Sequence, residues 1–196
     1  GDFRLNVGGN LVNASALKAA RSLSVTANNI SNRAGETMQA ANNQLTTGGT
    51  IDNAGDISAS NNLQLTAGSV SNTGSLVGGN VLVDTGTLVN GADLGSATDN
   101  AAYGSALIGA TNGMTLLVRD QLLNRDARIF SLGNIAIGGA RDGSGTITSR
   151  TGVLNNLSGS IEADGSILIA ANQLNNQRRV LSTKTGPLSD SERAEA

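Results

Sequence analysis

The chain contains no cysteine, no histidine, no tryptophan and a single proline in 196 residues. Without Cys and His it has no disulfides, no thiol chemistry, no conventional zinc site and no histidine acid–base catalysis. A cysteine-free chain also suits a protein that crosses an oxidising periplasm unfolded. The only aromatic residues are Phe3, Tyr103 and Phe130, and the net charge is −2. Nucleic-acid binding calls for a basic footprint and usually stacking rings, so it is set aside. No apolar run approaches the length of about 18 residues that spans a bilayer. No signal peptide opens the chain, and Gly1 begins in mid-pattern, so the sequence reads as a piece of a longer protein.

What is abundant is small and polar: 26 glycines, with Asn, Ser, Thr and Ala between short aliphatic pairs. Aperiodic, this composition would indicate disorder. Here it is periodic. Eight asparagines, Asn13, Asn32, Asn53, Asn72, Asn90, Asn124, Asn156 and Asn176, are spaced by 19, 21, 19, 18, 34, 32 and 20 residues. Two places before each stands an aliphatic residue: Leu11, Ile30, Ile51, Val70, Leu88, Leu122, Leu154 or Leu174. Self-similarity at such a period is the mark of stacked repeats.

Within each repeat the apolar residues alternate over short runs, as in Leu23/Val25, Leu63/Leu65, Ile135/Ile137 and Ile167/Ile169. That is strand period, and each run is bounded by turn-forming Gly, Asn, Asp or Ser. A repeat therefore holds about three short strands joined by bends. One repeat cannot bury its own apolar face, whereas stacked copies pair each strand with its equivalents about 4.8 Å above and below. The expected fold is all-β: a parallel β-helix of about eight to nine coils, roughly 40 Å long. Three repeats, with pairs read as Leu5/Val7, Leu45/Thr47 and Leu116/Val118, have a corner one residue short.

The two wide asparagine spacings predict insertions at about residues 92–104 and 139–152. The first carries Tyr103; the second carries Arg141 and Arg150, and its Thr146-Ile147-Thr148 segment has the pattern of a short hairpin off the stack. These three residues are the candidate partner contacts. The repeats occupy residues 1–178, and 179–196 form a non-repetitive tail or transition segment. Arg178-Arg179 reads as a charge cap on the last repeat, or else a partner contact.

The asparagine row is the most specific feature. Equivalent asparagines can stack at a turn and bond amide to amide along the fold, and Asn tolerates left-handed backbone. The competing reading is a sugar-binding row. The carboxylates Asp52, Asp56, Asp84, Asp93, Asp99, Asp120, Asp126, Asp142, Glu162 and Asp164 recur at no common offset, so they read as solvated surface groups. No catalytic, cofactor or metal residues are assigned, and no cofactor is expected.

The repeats Asp56-Ile57-Ser58-Ala59, Leu63-Gln64-Leu65-Thr66-Ala67-Gly68 and Val70-Ser71-Asn72-Thr73-Gly74 resemble those of the filamentous-haemagglutinin exoproteins. So do Gly159-Ser160-Ile161-Glu162-Ala163, Ile167-Leu168-Ile169-Ala170-Ala171 and Leu174-Asn175-Asn176. The family comprises two-partner-secreted bacterial adhesins and CdiA effectors of contact-dependent growth inhibition. The resemblance spans roughly residues 5–178, interrupted by the two insertions. It implies a right-handed β-helix, export through an outer-membrane partner transporter, and a place at the outer cell surface as a non-enzymatic shaft. The fragment is expected to be monomeric. The alternatives are an adhesin module binding a receptor or glycan through the insertions, and a polysaccharide-lyase-like enzyme.

Overall fold

The computed structural model describes residues 1–92 and 106–179. Among these are eighteen strands, β1–β18 in chain order, and no helix. Sixteen strands form one sheet, and every pairing within it is parallel. The pairings fall into three ladders.

One ladder runs from β1 (Asp2–Asn6) and β4 (Ser22–Thr26) into β6 (Thr37–Thr46), β8 (Asp56–Asn72), β9 (Ser75–Asn90) and β10 (Leu107–Arg125). It ends in β12 (Asn134–Gly138) and β17 (Ile167–Ile169). A second runs β2 (Leu11–Asn13), β5 (Ile30–Asn32) and β7 (Thr50–Asn53), through β8, β9 and β10, to β15 (Thr151–Leu157) and β18 (Ala171–Gln177). The third joins β3 (Leu17–Lys18) through β6, β8, β9 and β10 to β11 (Arg128–Ser131) and β16 (Ser160–Ala163). The long strands β8, β9 and β10 enter all three ladders in turn, with register irregularities between them.

Like meets like along each ladder because side chains alternate in and out with period two. Leu5, Val25, Leu45, Leu65, Val83, Leu116, Ile137 and Ile169 stand in register. So do Leu11, Ile30, Ile51, Val70, Leu88, Leu122, Leu154 and Leu174. The interior members of both rows are almost fully buried and join one continuous core. Each such aliphatic contributes roughly 1.5–3 kcal/mol by leaving water. The rows open at their ends: Leu5, Leu11 and Ile169 are half-buried and Leu174 is 49% exposed, so the second row is fully interior only from Ile30 to Leu154.

The registers correct the reading of three corners. Asn43, Met114 and Phe3 pair with core aliphatics, so the alternating pairs are Asn43/Leu45, Met114/Leu116 and Phe3/Leu5. Those corners are one residue longer than the others, not shorter: six positions separate Leu45 from Ile51, against five from Leu65 to Val70. Two of these runs, Phe3/Leu5/Val7 and Met114/Leu116/Val118, alternate over three apolar places, which hides the shared pair; in the third a polar Asn43 occupies the inward place. It is 1% exposed, and its Nδ2 donates to the Met38 carbonyl at 3.0 Å while its Oδ1 has no partner. Thr47 and Val118 lie one inward step further, where Ala27, Ala67 and Thr85 lie in neighbouring repeats.

Turns between ladders stack as closely as the strands. A Cβ on Gly74 would lie 2.1 Å from the Gly55 carbonyl oxygen, so a side chain there would force the turns apart. The second predicted insertion folds as an antiparallel hairpin, β13 (Ala140–Arg141) and β14 (Ile147–Ser149). It is seated on glycine: a Cβ on Gly138 would meet Ile147 Cγ2 at 2.4 Å. The first insertion, with Tyr103, lies outside the described residues, as does the tail from residue 180.

Candidate functional site

The eight asparagines of the row are in register, on the inner side of the second ladder. Every link is a carboxamide hydrogen bond running in one direction. Asn13 Nδ2 donates to Asn32 Oδ1 at 2.7 Å, Asn32 to Asn53 at 2.8 Å and Asn53 to Asn72 at 2.8 Å. Asn72 then donates to Asn90 at 2.8 Å and Asn90 to Asn124 at 2.9 Å. Asn124 donates to Asn156 at 2.7 Å, and Asn156 to the exposed Asn176 at 2.8 Å.

The second amide hydrogen is used as well. Asn53 Nδ2 also donates to the Ser75 carbonyl at 2.9 Å, Asn72 Nδ2 to Leu107 at 3.1 Å and Asn90 Nδ2 to Arg128 at 3.0 Å. These carbonyls belong to the first residues of the strands β9, β10 and β11 that follow the corner, so each side chain ties its own repeat to the start of a later strand. The members from Asn32 to Asn124 are at most 1% exposed. Aligned amide dipoles polarise one another in a low-dielectric interior, which strengthens each bond in the chain. Buried amides with their donors already spent present no face to a sugar.

A second amide ladder, on the outside of the first strand ladder, escaped the sequence reading. Asn62 Nδ2 donates to Asn42 Oδ1 at 2.9 Å, and Asn80 Nδ2 to Asn62 Oδ1 at 3.2 Å. Spacings of 20 and 18 residues carry it, and aligning the repeats on exposed positions would have found it. Asn62 and Asn80 border a surface groove of about 500 Å³ whose floor is the outward row Gln64, Leu82, Thr115 and Ala136. The hairpin supplies the far side through Arg141.

Of the candidate contacts, Arg141 is thus at a groove. Arg150 is not with it: its Nη1 donates to the Ala171 carbonyl at 3.3 Å. Tyr103 lies outside the described residues. The hairpin turn is built on Asp142, whose carboxylate accepts from Ser144 Oγ at 2.7 Å, Ser144 N at 2.9 Å and Thr146 N at 2.9 Å. The Ser144 hydroxyl and the Thr146 amide hold this carboxyl below its ordinary acid range.

The remaining acids are dispersed, but not all are solvated. Asp84 binds Arg119 at 2.5 Å, and Glu162 lies 3.6 Å from Arg128. Asp126 is 4% exposed, adopts left-handed backbone with φ of 49°, and lies 2.6 Å from Arg179 Nη2. Arg179 therefore contacts a buried carboxylate 53 positions earlier, a contact for which no local sequence signal exists. Among the described residues no three acids gather in a way that would hold a metal ion.

Ninety residues of the chain are 34% identical to the tRNA nuclease CdiA-2 of Burkholderia pseudomallei strain 1026b. The match covers 40% of this chain and 3% of that protein, so the chain corresponds to a very small part of its relative. No family model matches the chain, and no solved structure matches it.

Proposed function

We propose that the chain is a right-handed parallel β-helix serving as a shaft segment of a secreted, CdiA-like bacterial exoprotein. In this reading it extends an adhesive or toxin-delivery region away from the cell, has no enzymatic activity, and acts as a monomeric spacer. The carrying observation is the parallel register of residues 18 to 21 apart, each repeat tied to the next by a buried asparagine. Such a stack grows by whole repeats, and each added repeat lengthens it by one strand spacing of about 4.8 Å without changing its cross-section. The 34% identity to CdiA-2 supports an exoprotein context and, with it, export through an outer-membrane partner transporter. The nuclease activity in that relative's name is not carried into this reading, because the chain corresponds to 3% of that protein.

The test is a display assay. The chain is joined behind a two-partner secretion domain and ahead of an epitope tag, and the tag is probed on intact cells. Tag exposure that depends on the partner transporter, with residues 54–72 dispensable as one removable repeat, is the expected result. A tag that stays inside the cell despite secretion-domain function would overturn the shaft reading.

A further inference from the structure

A spacer needs a smooth side, yet one side of this stack carries a built recess. Its floor is the outward row of the first ladder, where Gln64, Leu82, Thr115 and Ala136 sit on successive repeats, all half-buried. Along one border the carboxamides of Asn80 and Asn134 are exposed. Arg141 of the hairpin also lines it: its side chain is exposed, makes no ion pair among the described residues, and is the only charged one of the described residues that line the recess. Its position is held from below, because Ile147 packs onto Gly138 and the Asp142 carboxylate closes the hairpin turn.

We propose that this recess binds a segment of an acidic polysaccharide, of the uronate-bearing class, laid along the stack. The groups present select that chemistry. Asn80 Nδ2 donates to Asn62 Oδ1 and Asn134 Oδ1 accepts from Ser166 N, which leaves the Asn80 oxygen as an acceptor and the Asn134 nitrogen as a donor, the complement of neighbouring sugar hydroxyls. Because equivalent positions recur at about 4.8 Å along the stack, they match a polymer of repeating units better than a compact ligand. An exposed guanidinium such as that of Arg141 matches a carboxylate and forms charge-assisted bonds with it. Leu82 and Ala136 give a low apolar floor against which the C–H face of a sugar ring can rest.

Other occupants fit less well. Single-stranded nucleic acid uses a cationic groove and stacking rings, and among the described residues this recess has one cation and no ring. A peptide that adds a strand needs an open sheet edge. Here the floor strands β8, β9, β10 and β12 are each already paired within the ladder. The inference goes beyond the shaft reading, and either can stand without the other.

The experiment titrates the complete 196-residue chain with oligogalacturonate, oligomannuronate and a heparin-derived oligosaccharide. A neutral cello-oligosaccharide and a glutamate peptide serve as comparisons. Binding is followed by calorimetry and by amide chemical shifts. The expected result is saturable binding of at least one uronate probe, with shifts centred on Gln64, Leu82 and Thr115. Removing a hydrogen bond to a charged group weakens binding about tenfold or more, so Arg141→Ala should show that loss and Arg141→Lys a smaller one. Arg150→Ala should bind as the parent chain does, and Thr115→Trp, which fills the floor, should not bind. Thermal melting of each variant separates lost binding from lost folding. The proposal is overturned if no uronate probe binds saturably, if the glutamate peptide binds as well, or if Arg141→Ala binds unchanged.

Discussion

Replacing Asn72 by alanine removes one link from the middle of a buried amide chain. The side chain is fully buried; its Nδ2 donates to Asn90 Oδ1 at 2.8 Å and to the Leu107 carbonyl at 3.1 Å. Its Oδ1 accepts from Asn53 Nδ2 at 2.8 Å. The losses are unequal. Asn53 Nδ2 retains the carbonyls of Gly55 and Ser75, so it stays satisfied. Asn90 Oδ1 loses the donor that Asn72 supplied, in a residue that is itself fully buried. An orphaned buried acceptor costs about 1–3 kcal/mol, and the deleted amide leaves a small void besides, so the expected loss is about 2 kcal/mol. For a chain of this size that corresponds to a fall of roughly 4–8 °C in Tm. Urea and thermal melts followed by circular dichroism give the global number, and amide exchange around Asn53 and Asn90 localises it, since stacked repeats open locally. Asn62→Ala, in the exposed amide ladder, should change stability by no more than about 0.5 kcal/mol. Equal losses for the two variants, or none for Asn72→Ala, would refute the reasoning.

Val70→Asp places an unpaired carboxylate at a position 1% exposed in the second ladder, and should cost several kcal/mol, read as loss of the cooperative melt at neutral pH. Gly138→Ala drives a Cβ to 2.4 Å from Ile147 Cγ2, so it should lift the hairpin off the stack. Its signature is shifted Ile147 and Arg141 resonances with unchanged signals in β8 and β9. The Asp142 carboxyl is held below its ordinary value of 3.8, so its support of the turn is complete above that value. That support is lost as pH falls through the lowered folded-state value. The amide signals of Ser144 and Thr146 should therefore collapse toward random-coil positions in strong acid, while an Asp142→Asn chain shows no such step there.

The offset that organises the fold was visible in the sequence because burial imposes it on every repeat: an aliphatic two places before an asparagine survives where other positions drift. Parallel pairing of such repeats places Val70 on Ile51 and Leu88 on Val70, as the spacing implies. The corners were harder. At one of them the inward place is a buried polar residue, Asn43, and at the other two three apolar residues alternate where the repeat needs two. The exposed amide ladder was overlooked because surface asparagines are common, and only shared register makes Asn42, Asn62 and Asn80 a set. Arg141 and Arg150 stood together in one insertion by sequence. Folding the hairpin separates them, because Arg141 leans over the groove and Arg150 reaches to Ala171. The ion pair of Asp126 with Arg179 depends on tertiary closure alone.

Distance along this molecule counts repeats, not residues. Ser31 and Asn155 occupy the same outward row, linked through Asp52, Ser71, Val89 and Leu123 in successive register. Five strand spacings separate them, about 24 Å at about 4.8 Å each. The chain has no cysteine, so Ser31→Cys and Asn155→Cys can be spin-labelled without background and measured by pulsed electron resonance. One narrow distribution centred near that distance, allowing for the label arms, is expected, with a shift of about two spacings when the first label moves to Ser71. A broad distribution, or a separation that ignores the move to Ser71, would contradict it.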